Sequence, residues 1–196
     1  MPARTSLVPP ADELGGRPAA RRHGRARPLH FLPGRACRAA GASAMDLSEH
    51  FTFEELTRTD IRPLLDKNRK LARETPEVLA NLTRVAKELL EPIRGVFQAP
   101  IQVNSGYRCP ELNAAVGGSA TSQHVRGEAA DIVIRGYESE AQELDAVRRI
   151  LKALPNLQFG QMLVEFGCIH VSLGSKREVA YYDVPTKTKR PIPPLG

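Results

Sequence analysis

The chain has 196 residues, of which 41% are hydrophobic and 26% charged, as expected of a globular protein with one core. It has no run of about 18 apolar residues, so the sequence excludes a membrane-spanning helix. The net charge of +6 arises in residues 1–44, which hold eight arginines and two acids, whereas residues 45–196 are neutral. The expected domain therefore offers no excess charge for binding nucleic acid.

The first segment, residues 1–44, is rich in Arg, Ala, Pro and Gly and shows no apolar periodicity. Such a composition cannot bury enough surface to offset the entropy lost on folding. Three interpretations stay open: a disordered basic arm, an Arg-rich transit peptide, or non-native sequence upstream of a start at Met45. We favour the last, because helix signals begin directly after Met45. We recognise no secretory signal, so the product is expected to stay in the cytoplasm until something releases it.

Three helices are predicted from the residues at their starts. Thr52 and Glu55 form a capping box, Thr75 precedes a proline at the first helical position, and Ser139 caps the third helix. Apolar residues recur at spacings of three and four in the second and third helices, so each helix lays one face on a core. They are Val78, Leu79, Leu82, Val85, Ala86, Leu89, Leu90 and Ile93, then Leu144, Val147, Ile150, Leu151 and Leu154.

Short apolar segments predict the strands. They are Ile101–Val103, Ile132–Ile134, Gln161–Glu165, Cys168–Leu173 and Glu178–Tyr182. Helices and strands segregate instead of alternating, which predicts an α+β fold with a small antiparallel sheet flanked by helices. The expected domain spans residues 45–183, and residues 184–196 form an extended proline-rich tail. The three cysteines, Cys37, Cys109 and Cys168, form no CxxC pair, and we expect free thiols.

One stretch, SQHVRGEAADIVI (residues 122–134), concentrates polar groups directly before an apolar strand. It contains His124 and Asp131, and after His50 the only other histidine is His170. Two histidines and one aspartate can hold a tetrahedral zinc ion and leave one position open for water. A histidine on a strand is more often a surface or core residue than a metal ligand. The spacing of His124 and Asp131 alone often arises by chance. The joint pattern of the two motifs is what favours a metal site.

The segment of residues 161–173 predicts a hairpin whose tight turn is Phe166–Gly167. The predicted cross-strand pairs are Glu165 with Cys168, Leu163 with His170, and Gln161 with Ser172. Alternation then puts Glu165 and His170 on one polar face, with backbones about 7–8 Å apart. A glutamate at that distance can contact a water at the metal without being a ligand, as a general base must.

Three motifs, SGYRCPELNAAVGG, SQHVRGEAADI and VEFGCIHVS, together resemble the zinc peptidases of the D-alanyl-D-alanine carboxypeptidase family, whose fold is shared with the Hedgehog signalling domain. The resemblance covers about residues 45–182 and is closest to short forms from phages and prophages. It implies a Hedgehog/DD-peptidase-like fold. It also implies hydrolysis of peptidoglycan stem peptides, by a D-Ala-D-Ala carboxypeptidase or an L-Ala-D-Glu endopeptidase, in a lysis enzyme of the endolysin kind.

The resemblance also implies roles for individual residues. They are a Zn²⁺ site on His124, Asp131 and His170, substrate binding and polarisation by Arg108, substrate contact by Ser122 and Gln161, and base catalysis by Glu165. Two features depart from the family pattern. Relatives often have a tryptophan before the H-V-S motif and one more residue between the glutamate and histidine, and their Asp-Gln is Gly160–Gln161 here. These departures concern the base and the substrate preference more than the metal.

The alternative is a non-catalytic, zinc-stabilised module that binds the cell wall or serves as an interaction module, because the Hedgehog domain shares the fold. Glu165 discriminates the two hypotheses, since a pure binding module needs no base near His170. Nucleic-acid binding would rest on residues 1–44 alone, and we expect none. The expected partners are peptidoglycan peptides, and the expected state is a monomer.

Overall fold

The computed structural model describes residues 45–165 and 167–193. The helices are α1 (Phe53–Leu56), α2 (Arg62–Glu74), α3 (Pro76–Arg84), α4 (Glu91–Phe97), α5 (Pro110–Ala115) and α6 (Glu140–Ala153). The strands are β1 (Ile101–Ser105), β2 (Ala129–Ile134), β3 (Gln161–Glu165), β4 (Cys168–Ser172), β5 (Glu178–Asp183) and β6 (Thr188–Pro191). The predicted α+β class is confirmed. The arm of residues 1–44, Cys37 and the turn residue Phe166 lie outside the described residues.

The helix starts follow the predicted capping signals. The Thr52 hydroxyl accepts the N–H of Glu55, whose carboxylate accepts the N–H of Thr52 at 2.8 Å. Ser139 and Gln142 form the same reciprocal box at the start of α6. These two boxes satisfy N–H groups that the first helical turn leaves without partners.

The second predicted helix forms one continuous helical run in three parts. It begins at Pro76 and continues from α3 through a π-helical segment, Val85–Leu90, into α4. The wider turn lies directly before Pro92, which cannot donate a hydrogen bond to the preceding turn and whose ring would clash there. Of its predicted apolar stripe, Leu79 is half-buried. The others, Val78, Leu82, Val85, Ala86, Leu89, Leu90 and Ile93, are buried.

The six strands form one sheet in the order β1-β2-β4-β3-β5-β6. All neighbouring pairs are antiparallel except β3 and β5, which are parallel, so the prediction of a purely antiparallel sheet is corrected at that pair. The reason is the short connection after β4. Strand β4 ends beside the start of β3. Residues 173–177 then connect this end to the start of β5, which also lies beside the start of β3, so β3 and β5 run in the same direction.

The predicted hairpin register is confirmed for two pairs, because Glu165 lies opposite Cys168 and Leu163 opposite His170. In place of the third pair, the N–H of Gln161 donates to the hydroxyl of Ser172 at 2.9 Å. Four residues of the predicted tail form β6, which pairs with β5. Residues 184–187 form a turn, and the four residues that follow add an edge strand to the sheet.

The sheet has two unlike faces. One carries buried apolar side chains and packs against α6 and the π-helical segment. On the other face Ser105, Asp131 and His170 lie side by side across β1, β2 and β4. The register of three antiparallel strands therefore brings residues from distant parts of the sequence together. Separately, no helix among the described residues is long and apolar enough to cross a bilayer.

Candidate metal centre

The three predicted ligands converge on one point. His124 lies in a 3₁₀ turn, Gln123–Arg126, and Asp131 and His170 are direct neighbours on β2 and β4. The Nε2 atom of His124 lies 3.2 Å from Nδ1 of His170 and 3.1 Å from Oδ1 of Asp131. The remaining side, from His170 Nδ1 to Asp131 Oδ1, is 2.9 Å. All three residues are buried.

In each imidazole, the ring nitrogen that faces away from the converging atoms is hydrogen-bonded to an oxygen atom of the protein. Nδ1 of His124 lies 2.7 Å from the carbonyl oxygen of Gly106. Nε2 of His170 lies 3.3 Å from the amide oxygen of Gln123. These oxygens only accept, so we assign the ring protons to the two outer nitrogens. The inner nitrogens then present lone pairs, as metal-ligating histidines do.

This donor set fits a divalent metal such as zinc. With the protons on the outer nitrogens, three acceptor atoms face one another with no hydrogen between them. A bound cation would offset the repulsion between their lone pairs. Zinc binds imidazole nitrogen and carboxylate oxygen at about 2.0–2.2 Å, so atoms about 3 Å apart can share one ion. Three protein ligands are the number that leaves a coordination position open.

Asp131 is held as a carboxylate by its neighbours. Burial alone would raise its pKa, but His124 and His170, whenever an inner ring nitrogen carries a proton, lower the pKa of Asp131 well below its ordinary value. Its second oxygen, Oδ2, accepts a hydrogen bond of 2.6 Å from Nη2 of Arg108, whose Nε donates to Ser105 at 2.8 Å. Arg108 thus orients a candidate ligand. Arg108 also lines the groove.

Glycine at position 106 brings the end of β1 close to α1. A Cβ atom on Gly106 would lie 2.2 Å from the carbonyl oxygen of Leu56. The next residue, Tyr107, donates its N–H to that same oxygen at 2.8 Å. Only glycine permits this approach, and it aims the Gly106 carbonyl at His124. The sequence interpretation identified neither this carbonyl nor Gln123, because neither group has a sequence signal of its own.

Asn68 of α2 fixes the backbone on both sides of Arg108. Its side-chain amide donates to the carbonyl of Thr57 at 2.9 Å and to that of Tyr107 at 3.0 Å. Its oxygen accepts the N–H of Cys109 at 2.7 Å. The residue is buried, so this amide satisfies three backbone groups where water cannot. Neither α2 nor α5 was predicted from the sequence.

Glu165 lies on the same face of the sheet as His170 but is not part of the converging group. Burial and the charge of Asp131 raise the pKa of Glu165 to about 7, while His170 and Arg108 act in the opposite direction. A bound cation would also act to lower the pKa of Glu165. A carboxylate that titrates near neutrality suits a general base.

All predicted site residues line one open groove of about 1030 Å³. They are Arg108, Ser122, His124, Asp131, Gln161, Glu165 and His170. The side chain of Gln161 donates to Glu178 at 2.8 Å, which fixes it at the groove wall. Cys109 and Cys168 are free thiols, as predicted. The histidines and Asp131 lie in the wall of this groove.

An α+β domain with a buried His-Asp-His group in an open groove is an arrangement suited to metal-dependent hydrolysis. The chain belongs to the peptidase M15 family, because the family model described as Peptidase M15 matches residues 49–172, more than half of the chain. The resemblance drawn from the motifs is thereby confirmed. Membership supports a metallopeptidase, and the His-Asp-His group is where a metal could bind. No curated protein matches the chain.

Glu143 is a buried acid close to this site. Its side chain is 1% exposed, and Oε1 accepts the N–H of Gly167 at 3.0 Å. Its Oε2 has no hydrogen-bond partner among the described residues. Burial raises the pKa of Glu143 to about 7, the Gly167 N–H opposes this, and the charges of Glu140 and Glu165 add to it.

We expect Glu143→Gln to remove a pH dependence of stability. The folded protein keeps a proton on Glu143 up to about pH 7, whereas the unfolded chain loses it near the ordinary value of 4.5. The free energy of unfolding therefore falls as pH rises through this interval. The variant should match the parent at pH 4.5 and exceed it by about 2–3 kcal/mol at pH 8. Chemical denaturation at both pH values, with exposed Glu138→Gln as control, measures this. A less stable variant at pH 8 would contradict it.

Proposed function

We propose that the protein is a zinc-dependent peptidase that hydrolyses peptide bonds of peptidoglycan stem peptides. The observation that carries the proposal is the convergence of two imidazole nitrogens and one carboxylate oxygen within 3.2 Å of one another, in an open groove. Membership of the peptidase M15 family supports the peptidase class. The presence of Glu165 in the same groove favours this function over the alternative, a non-catalytic binding module.

His124, Asp131 and His170 would hold the zinc ion. When bound, zinc would lower the pKa of a water molecule and polarise a carbonyl group. Glu165 takes a proton from the attacking water at its carboxylate and passes it to the nitrogen of the leaving amine. Burial and the charge of Asp131 raise the pKa of Glu165 and so strengthen it as a base, while a bound cation would act in the opposite direction.

Arg108, Ser122 and Gln161 bind the substrate. Arg108 is already oriented by Asp131 and Ser105, so its charge need not reorganise when a peptide carbonyl or carboxylate arrives. Ser122 offers a hydroxyl beside the 3₁₀ turn that carries His124. A role in lysis, with the protein in the cytoplasm until it is released to the cell wall, completes the proposal.

Digestion of purified peptidoglycan tests this function. We expect chelator-sensitive release of peptide fragments that is restored by zinc. Mass analysis then identifies the bond: loss of one D-alanine indicates a carboxypeptidase, and an internal cut indicates an endopeptidase. An unrelated muralytic enzyme serves as the positive control. The proposal would be refuted if that enzyme digested the peptidoglycan and the zinc-loaded protein left it intact.

A further inference from the structure

Two lips of the chain meet over the groove. One is the loop after α5, residues 116–121, and the other is the tip of the β5–β6 hairpin, residues 184–187. The ammonium group of Lys187 donates to the carbonyl oxygen of Gly117 at 3.3 Å, so the lips touch. Val116 and Val184 are 50% and 53% exposed, and both line the groove. They are the exposed large hydrophobic side chains of the described residues.

Lys187 differs from the other lysines of the groove. Lys176 and Lys189 both pair with Glu178, at 3.1 Å and 2.7 Å. Lys187 has no carboxylate within pairing distance in the part of the chain that the structure describes, and its contact is a neutral carbonyl. An exposed hydrogen bond of this kind is weak, and a carboxylate is a stronger acceptor for an ammonium group. A carboxylate-bearing ligand would therefore displace the Gly117 carbonyl.

Both lips are ordered by their own hydrogen bonds. On the α5 side, buried Asn113 donates its side-chain N–H to the carbonyl of Ser119 at 2.8 Å, and its backbone carbonyl accepts the N–H of Gly118. On the hairpin side, Asp183 accepts both the N–H and the hydroxyl of Thr186. Little backbone order has to be acquired on binding, which favours affinity.

We propose that Lys187 binds a carboxylate group of the peptide substrate, while Val116 and Val184 contact an adjacent aliphatic side chain. This inference rests on the proposed function and names a subsite for it. Stem peptides combine alanine methyl groups with carboxylates, among them those of the chain terminus and of the glutamyl residue. A cationic group and two exposed apolar side chains on the same part of the groove are complementary to that combination.

The test measures dissociation constants by calorimetry in the zinc-loaded Glu165→Gln background, which prevents cleavage. Three stem peptides are compared: one with both carboxylates free, one with the terminus amidated and one with the glutamyl group amidated. Lys187→Ala should raise the dissociation constant of the free peptide about tenfold and leave one of the two amides unaffected. The unaffected amide identifies the carboxylate that Lys187 binds. Lys187→Arg should retain most of the affinity, and exposed Lys152→Ala should retain all of it.

Equal affinities for all three peptides in the parent, or the same loss for all three in Lys187→Ala, would overturn the subsite. The second result would indicate a merely structural role for Lys187. A charge-dependent difference together with an active-site-intact protein that cleaves no peptide would uphold the subsite and reject the proposed function. Failure of every peptide to bind would overturn both.

Discussion

His124→Ala should leave the purified protein without stoichiometric zinc and lower its melting temperature. Loss of groups that only orient metal ligands costs about 10–100-fold in affinity, so loss of a ligand should cost more than about a hundredfold. The substitution also deprives the Gly106 carbonyl of its donor. Because metal binding stabilises the folded state that forms the site, zinc content and stability should fall together.

Metal analysis and thermal denaturation measure the two effects. His50→Ala is the matched control, since His50 is an exposed histidine paired with Glu91 on the surface and should keep its zinc. Gln123→Ala should give the intermediate loss expected for a residue that orients His170. The melting temperature of His124→Ala should fall to that of the chelated parent or below it, because the variant also lacks the hydrogen bond to Gly106. Full zinc occupancy in a folded His124→Ala protein would reject His124 as a ligand.

Glu165→Gln should lower kcat by about 10²–10⁴-fold, the range that a general base contributes. The zinc content should be unchanged, because Glu165 is not among the converging atoms. Glutamine has nearly the same size, so the contact of Glu165 with the thiol of Cys168 can persist. Unaltered turnover by this variant would reject the base assignment and favour the binding-module alternative.

The pH profile adds a second measurement. A base must be deprotonated, so kcat/KM of the parent should rise with pH through the pKa of Glu165, at or below about 7 when the metal is bound. The residual activity of Glu165→Gln should lack this acidic limb. Glu77→Gln, which removes an exposed acid at the start of α3, should reproduce the parent profile.

Local patterns predicted the parts of the fold that depend on neighbouring residues. The capping boxes at Thr52 and Ser139 formed as expected, because each involves groups three residues apart. The β3–β4 register followed from a tight turn, which fixes every later pair. The convergence of His124 with two strand residues was predicted from motifs and a family resemblance and could not be derived from spacing alone.

Long-range contacts account for what the sequence did not predict. The parallel pairing of β3 with β5 depends on where β4 ends, and the pairing of β6 depends on β5 being present at the sheet edge. Helix α2 has few apolar positions and is anchored instead by the buried amide of Asn68. The acceptors for the two imidazoles are a carbonyl and an amide whose directions only the folded backbone sets.

Helix α2 carries no candidate catalytic residue, but the contacts of Asn68 position the backbone on both sides of Arg108. An aspartate of equal size has no N–H to give the two carbonyls, and a leucine offers neither donor nor acceptor. Sequence variation at position 68 should therefore be narrow even though Asn68 is not among the residues that line the groove. A screen for inactive variants should therefore recover substitutions at position 68 in α2 as readily as substitutions of residues in the groove.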